Sequence, residues 1–556
     1  MMDKGPEERG HWRTKTEFLL AVAGHVIGIG NVWRFPYLCY KNGGGVFLVP
    51  YVVFVVTCGI PLFLLETAIG QYTTEGGVTC WQCICPLAKG VGYAGLVITT
   101  YSRCYMIVLS WALFYLVFSF SSTLPWASCD NTWNTDDCST VGKNRTFNRT
   151  EQSNSTSAAT EFWERRVLSI SGVWIICYFC IWKGIKSTGK VCVVYFTATF
   201  PYVMLLVLLV RGLTLPGALQ GIVYYLYPDP DRLLDPQVWM EAGTQVFFSY
   251  SSCEGLLTVL GSYNNYNNNC YKDCFMLCLL NSCTSVVAGF AVFSVLGFMA
   301  HEHGKPIAEV AESGPGLAFI AYPQAVAMIP LPQVWAVCFF VMVMLLCLDT
   351  EVSRHKDTDS QVLRRPRHRG LFLLAVCLFC FMIQLIMTTE GGMYWFQLFD
   401  YYACSGACVL FLSVFQTLAI GWIFGAERLC DIIEDMTGSY PNFIFRVCWK
   451  YITPLISLVT LIYYLVDLKP LTYNREYLYP GWAHGLGWIL ALSSILMVPG
   501  WAMGCLWSAK GSFRQRWLHL CSPDRTLPLT RKQRAEIQEV NSSVEMEVMS
   551  NACQEH

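Results

Sequence analysis

Charge is what this chain lacks. Of its 556 residues only 14% are Asp, Glu, Lys or Arg, against about 25% in soluble domains. The two signs nearly cancel, 38 basic against 39 acidic, for a net charge of −1. That excludes a basic surface for nucleic acid and the high-charge signature of a disordered chain. Residues 1–15 are polar and mixed in charge, with no small-residue cleavage site before an apolar core, so they read as a cytoplasmic segment and not as a leader. Enzyme motifs are missing as well. There is no nucleophile elbow and no phosphate loop, and His301-Glu302-His303 lacks zincin spacing. Cys377 and Cys380 have metal-type spacing but no polar context.

What is present is apolar. The chain is 54% hydrophobic and 15% aromatic, with a mean hydropathy of +0.40. Most of its 27 cysteines sit inside apolar runs, where Cys acts as a small hydrophobe. A membrane span needs about 20 apolar residues. Twelve candidates begin near Phe18, Val46, Gly92, Val167, Val191, Val238, Cys274, Leu331, Leu371, Phe396, Val447 and Ala483. The fourth is short, and the eighth is expected to end at Asp349, where a polar stretch begins. Runs of this length in lipid must be helices, because lipid offers the backbone no hydrogen bonds. The expected fold is an all-α membrane protein with twelve transmembrane helices.

Charge between the spans sets the orientation. Arg354, Lys356, Arg364, Arg365, Arg367 and Arg369 crowd one loop, and Lys183, Lys186 and Lys190 another. Under the positive-inside rule both are cytoplasmic, and so are both termini. The membrane domain is expected over 16–510, with a tail over 511–556 that is polar and disordered from Ser522. The loop 122–166 is then extracellular. It carries glycosylation sequons at Asn144, Asn148 and Asn154 together with Cys129 and Cys138. The sequon at Asn541 falls in the tail and reads as chance.

Two spans break helix rules. The first contains Gly24, Gly28, Gly30, Asn31 and Arg34, and close packing accounts for the glycines but not for Asn31 and Arg34. The sixth is polar from Ser249 to Gly255. Two interrupted helices five spans apart fit an inverted five-helix repeat with broken first and sixth helices. Unwound segments then meet at the midplane, where carbonyls take cations and helix N-termini take anionic groups. Asn281 and Ser285 share one face of the seventh span, as Gln245 and Ser249 do on the sixth. Carbonyls, amides, hydroxyls and Asp349 suit sodium. The donors of Tyr51, Gln245 and the two serines suit chloride. Arg34 and Asp400 lie near the outer ends of different spans and could close a gate.

From Asn31 to Gly45 the sequence NVWRFPYLCYKNGGG resembles the signature of the sodium- and chloride-dependent neurotransmitter symporters. The resemblance runs from about Arg9 to Lys510. Stretches at Trp182–Gly184, Lys186–Lys190, Tyr195–Pro201 and Ala311–Leu317 are similar to the GABA, betaine, taurine and creatine branch. Gly261–Tyr271 is most similar to the GABA transporters of types 2 and 3.

The resemblance implies one sodium at Asn31, Ser249, Asn281 and the carbonyl of Val26. It implies a second at Gly24, Ile27, Leu346, Asp349 and Thr350, and chloride among Tyr51, Gln245, Ser249 and Ser285. A substrate carboxylate would approach Gly28, Ile29, Gly30 and Tyr105, with His25, Phe248, Ser251 and Glu254 bordering the pocket. Tyr105 and Phe248 would form a lid with Arg34 and Asp400 outside it. Cys129 and Cys138 match the family's external disulfide. No cofactor and no nucleic-acid partner is implied, only the bilayer, a small amino-acid substrate and the two coupling ions at the plasma membrane.

This sequence also departs from the family. His25 and Glu254 replace other residues at pocket positions, and we read them as a compensating pair. Cys347 replaces a Gly. The fourth span lacks its first half, and the acid that usually closes the cytoplasmic gate after the eighth span has no counterpart. A non-transporting relative that acts as a membrane partner, or has no function, is the alternative.

Overall fold

The computed structural model describes residues 12, 14–26, 28, 30–136, 138–139, 156–167, 191–227, 229–304, 306–309, 317–327, 330–362, 382, 385–387, 389, 391–467, 471–473, 477–524, 527–528 and 530–534. These residues are helical almost throughout. Their only strands form two short pairs, Cys138–Ser139 with Thr156–Ser157 and Thr472–Tyr473 with Tyr477–Leu478.

Among the described residues five helices are long and apolar enough to cross a membrane: Gly44–Thr73, Pro86–Ser119, Cys270–Glu302, Gly392–Thr437 and Phe443–Val466. Two bent pairs also pass as spans, Thr199–Leu213 with Ala218–Leu226 at 112° and Gly481–Ile495 with Met497–Ser508 at 42°. The expected fourth and ninth spans lie mainly on 168–190 and 363–381, outside the described residues. The apolar part of the eighth span is Pro332–Cys347, so it ends where expected, next to Asp349, while the helix itself continues in polar sequence to Val362. No Gly or Pro lies between Asp349 and Val362, and Glu, Lys, Arg and Gln there are good helix formers that polarity alone does not stop.

The spans are inside out relative to a soluble helix. Along Thr453–Val466 the exposed residues are Leu455, Leu458, Val459, Ile462, Leu465 and Val466, while Ser457 and Thr460 are buried. The apolar stripe faces outward and the hydroxyls face the bundle, where Ser413 and Ser457 lie 3.0 Å apart. Small residues bring backbones together. A Cβ on Gly261 would sit 2.6 Å from the carbonyl oxygen of Thr67, and one on Gly70 would run into that of Thr258. Helix Ile60–Thr73 therefore lies backbone to backbone on helix Leu256–Ser262.

Both expected breaks are present. Helix Lys15–Val26 stops and the chain resumes in a π-helical turn, Gly30–Arg34, followed by helix Phe35–Lys41. Pro36 sits in the first turn of that helix, where its missing N–H costs nothing. The sixth span divides into Pro236–Ser249 and Leu256–Ser262. Between them Ser251 and Cys253 adopt positive φ, +48° and +69°, a conformation costing L-residues about 1–2 kcal/mol each. The buried Glu66 holds this segment. Its Oε1 accepts the Cys253 N–H at 2.5 Å and the Gln416 side-chain amide at 2.9 Å.

The start of the C-terminal tail is docked, not disordered. The Tyr72 hydroxyl donates to the carbonyl of Pro528 at 3.0 Å, and Thr530 is buried. Arg531 pairs with Asp435 at 3.3 Å, and Lys532 with Asp431 at 2.8 Å and Glu434 at 2.9 Å. An acidic face on helix Ala426–Thr437 captures this basic pair. Residues 535–556 lie outside the described set.

Candidate functional site

The two breaks meet. Ser249 Oγ donates to Asn31 Oδ1 at 2.8 Å, and Asn281 Nδ2 donates to Ser249 Oγ at 3.1 Å. Asn31 Nδ2 donates to the carbonyl of Asn281 at 3.2 Å and also to its side-chain oxygen. All three residues are buried. Gln245 ties the same helices together, its amide donating to the carbonyl of Gly30 at 2.8 Å. Gly24 and Val26 lie in the last turn of helix Lys15–Val26, where carbonyls lack intrahelical partners and carry the helix's partial negative charge. Neutral oxygens without a basic group suit a hard monovalent cation.

The residues expected to hold the second sodium and chloride lie as follows. Helix Lys15–Val26 packs on helix Pro332–Val362, and Leu346 is buried. Ile27 and the side chains of Asp349 and Thr350 lie outside the described set. Tyr51 Oη lies 3.5 Å from Ser282 Oγ, which lies 2.7 Å from Tyr250 Oη. Ser285 Oγ donates to the carbonyl of Asn281 at 3.3 Å. Sequence reasoning missed Ser282. Its spacing of three from Ser285 places both hydroxyls on one helix face and could have found it.

Aromatic rings cover one end of the site. The Tyr105 and Phe248 ring centroids are 5.2 Å apart. A Cβ on Gly30 would come within 3.1 Å of the Phe248 ring, so the glycine makes room for it. Arg34 lies over that ring, with Cζ 4.5 Å from the centroid. Its guanidinium pairs with Asp400 at 3.5 Å and donates to Ser405 Oγ at 3.1 Å and Gln245 Oε1 at 3.4 Å. The Tyr105 hydroxyl donates to Asp400. Lid and ion pair are thus one closed cluster.

The other end is closed too. The Trp12 N–H donates to the carbonyl of Tyr263 at 3.1 Å, and its indole donates to that of Leu260 at 3.3 Å. Lys15 pairs with the buried Asp273 at 2.7 Å, a contact that sequence reasoning also missed. The polar contacts between the broken helices are thus covered at both ends.

The profile of the sodium:neurotransmitter symporter family matches residues 9–173 and 170–509. The chain belongs to this family. It is 55% identical over 553 residues to the human sodium- and chloride-dependent GABA transporter 2, covering 95% of this chain and 91% of that protein. It is 53% identical over 547 residues to the bovine sodium- and chloride-dependent taurine transporter, covering 93% and 88%. The crystal structure of MhsT in complex with L-phenylalanine superposes with a TM-score of 0.68 at 22% identity, covering 82% of this chain and 99% of that one. That likeness shows the fold. As a member of the symporter family the chain is a multi-pass membrane transporter and not an enzyme.

Other site residues of this symporter fall as follows. Gly28 is buried in the first break and Ser251 in the sixth-span break. Glu254 is buried, its carbonyl accepting from Thr99 Oγ1 at 3.4 Å and its side chain within electrostatic reach of Glu66. Ile29 and the side chain of His25 lie outside the described set, as do Asn144, Asn148 and Asn154. Cys129 and Cys138 are disulfide-bonded. Beside that bridge Glu161 accepts from Asn134 at 2.9 Å, Thr135 N–H at 3.0 Å, Thr156 at 2.9 Å and the Thr135 hydroxyl. Burial opposes its charge, but these four donors outweigh it and hold its carboxyl below the usual range.

Proposed function

We propose that this symporter imports GABA or a related small zwitterion across the plasma membrane, coupled to sodium and chloride, with both termini cytoplasmic. The mutual contact of Asn31, Ser249 and Asn281 at the facing breaks carries the reading. Sodium would replace their internal hydrogen bonds, joined by the carbonyl of Val26. A second sodium would take the carbonyls of Gly24, Ile27 and Leu346 with Asp349 and Thr350. Chloride would be held by donors of Tyr51, Gln245, Ser249 and Ser285, offsetting the sodium charge. The substrate carboxylate would meet backbone N–H groups at Gly28–Gly30 and the Tyr105 hydroxyl, which then exchanges Asp400 for substrate. No acid stands in the first break to hold a cationic amine, which favours a zwitterion.

Closing Arg34 onto Asp400 traps the load on the outer side. Parting Trp12 from Leu260 and Tyr263, and Lys15 from Asp273, releases it inward. Two sodium ions, one chloride and a zwitterion carry one net charge inward, worth about 2.3 kcal/mol per 100 mV.

The test is uptake of labelled GABA in cells expressing the full chain, with surface biotinylation, and with taurine, betaine and creatine as competitors. Uptake abolished by replacing sodium or chloride is the expected result. Surface protein that moves none of the four substrates would overturn the reading in favour of a non-transporting relative.

A further inference from the structure

Two cysteines from different spans meet beside the gate. Cys104 directly precedes Tyr105 in the 3-10 turn Ser102–Tyr105. Cys404 ends the π-helical turn Asp400–Cys404. Their sulfurs are 3.9 Å apart, and both side chains are buried. The two turns pack on one another, and the hydrogen bond from Tyr105 to Asp400 ties the same two turns together. Ion and substrate binding as described use neither thiol.

We infer that Cys104 and Cys404 form a redox-sensitive dithiol whose oxidation to a disulfide fixes the gate. A disulfide needs sulfurs about 2.05 Å apart, so a gap of about 1.9 Å remains for the side chains to close. Bonding would join the third span to the tenth at the residues next to Tyr105 and Asp400. The Asp400 side of the gate is then held in its closed position, and Arg34 parts from it less readily.

Hydrogen peroxide is a sufficient oxidant, being small, neutral and able to enter when the lid opens. One cysteine, as thiolate, attacks the O–O bond, and its sulfur becomes a sulfenic acid while hydroxide leaves and takes up the thiol's proton. The second thiolate attacks the sulfenic sulfur and expels hydroxide, which takes up the second proton. Two thiols are oxidised to one disulfide, and one peroxide is reduced by two electrons to two waters. A dithiol reductant reverses the bond by exchange.

The linkage is read on the full wild-type chain in membranes. The protein is treated with peroxide, its remaining thiols are alkylated, and its peptides are analysed by mass spectrometry. A peptide pair joined through Cys104 and Cys404, and lost after dithiothreitol, is expected. Oxidised protein whose linked peptides exclude this pair overturns the inference. This readout is independent of any substrate, so it stands apart from the transport reading. The effect on the gate does rest on that reading. Peroxide should lower uptake at least threefold, dithiothreitol should restore it, and Cys104→Ser and Cys404→Ser should each abolish the sensitivity. Linkage without loss of uptake, or equal inhibition in the serine variants, overturns control of the gate.

Discussion

Replacing Asp400 by Asn tests the gate most directly. The substitution keeps the size and removes one charge. Arg34 then sits buried over Phe248 with only neutral partners, Gln245, Ser405 and Tyr37. Removing one member of a buried ion pair costs about 3–5 kcal/mol, because the other charge is left uncompensated. The backbone carbonyl of Asp400 still receives Ser405 Oγ at 2.6 Å, and Asn can still accept from Tyr105, so the lower value applies. About 3 kcal/mol corresponds to roughly a hundredfold shift away from the closed gate. Arg34 in an open gate meets water and loses nothing. Maximal uptake of labelled substrate, normalised to surface protein, should fall at least tenfold. Adding Arg34→Gln should cost less than the two single losses combined, since no stranded charge remains. Wild-type rate and KM in Asp400→Asn, or simple additivity in the double variant, would refute the reasoning.

Three further outcomes are expected. Asn281→Ala removes an oxygen proposed to hold sodium, a contact to a charge worth about 1.5 kcal/mol, so the half-saturating sodium concentration in uptake should rise roughly tenfold; an unchanged sodium curve counts against the triad. Gly70→Ala drives a methyl into the Thr258 carbonyl, an overpacking of about 1–3 kcal/mol, and should lower the Tm of purified protein, whereas an unchanged Tm would mean that the two helices can separate at no cost. Glu161 has a depressed folded-state pKa, so its stabilisation is complete above the ordinary carboxyl range and is lost as pH falls through its lower folded value. Limited proteolysis of the 122–166 loop should accelerate in acid in the wild type and be less pH-dependent in Glu161→Gln.

The sequence by itself determined the class, the breaks and the family. Lipid cannot satisfy backbone groups or solvate ions, so long apolar runs had to be helices, and Asn31, Arg34 and the polar stretch 249–255 stood out against them. Spacing along one helix exposed Asn281 with Ser285, because helical periodicity is local. Polarity was a poorer guide to ends. The helix of the eighth span continues past its apolar part to Val362 through good helix formers, and the basic tail docks because acids of helix Ala426–Thr437 lie beneath it. Only the tertiary structure could join Asn31 to Asn281 and Ser249, Lys15 to Asp273, Glu66 to Cys253 and Cys104 to Cys404. These partners are far apart in sequence, and hydrogen bonds and ion pairs act over a few ångströms, so the packing of the helices decides which of them meet.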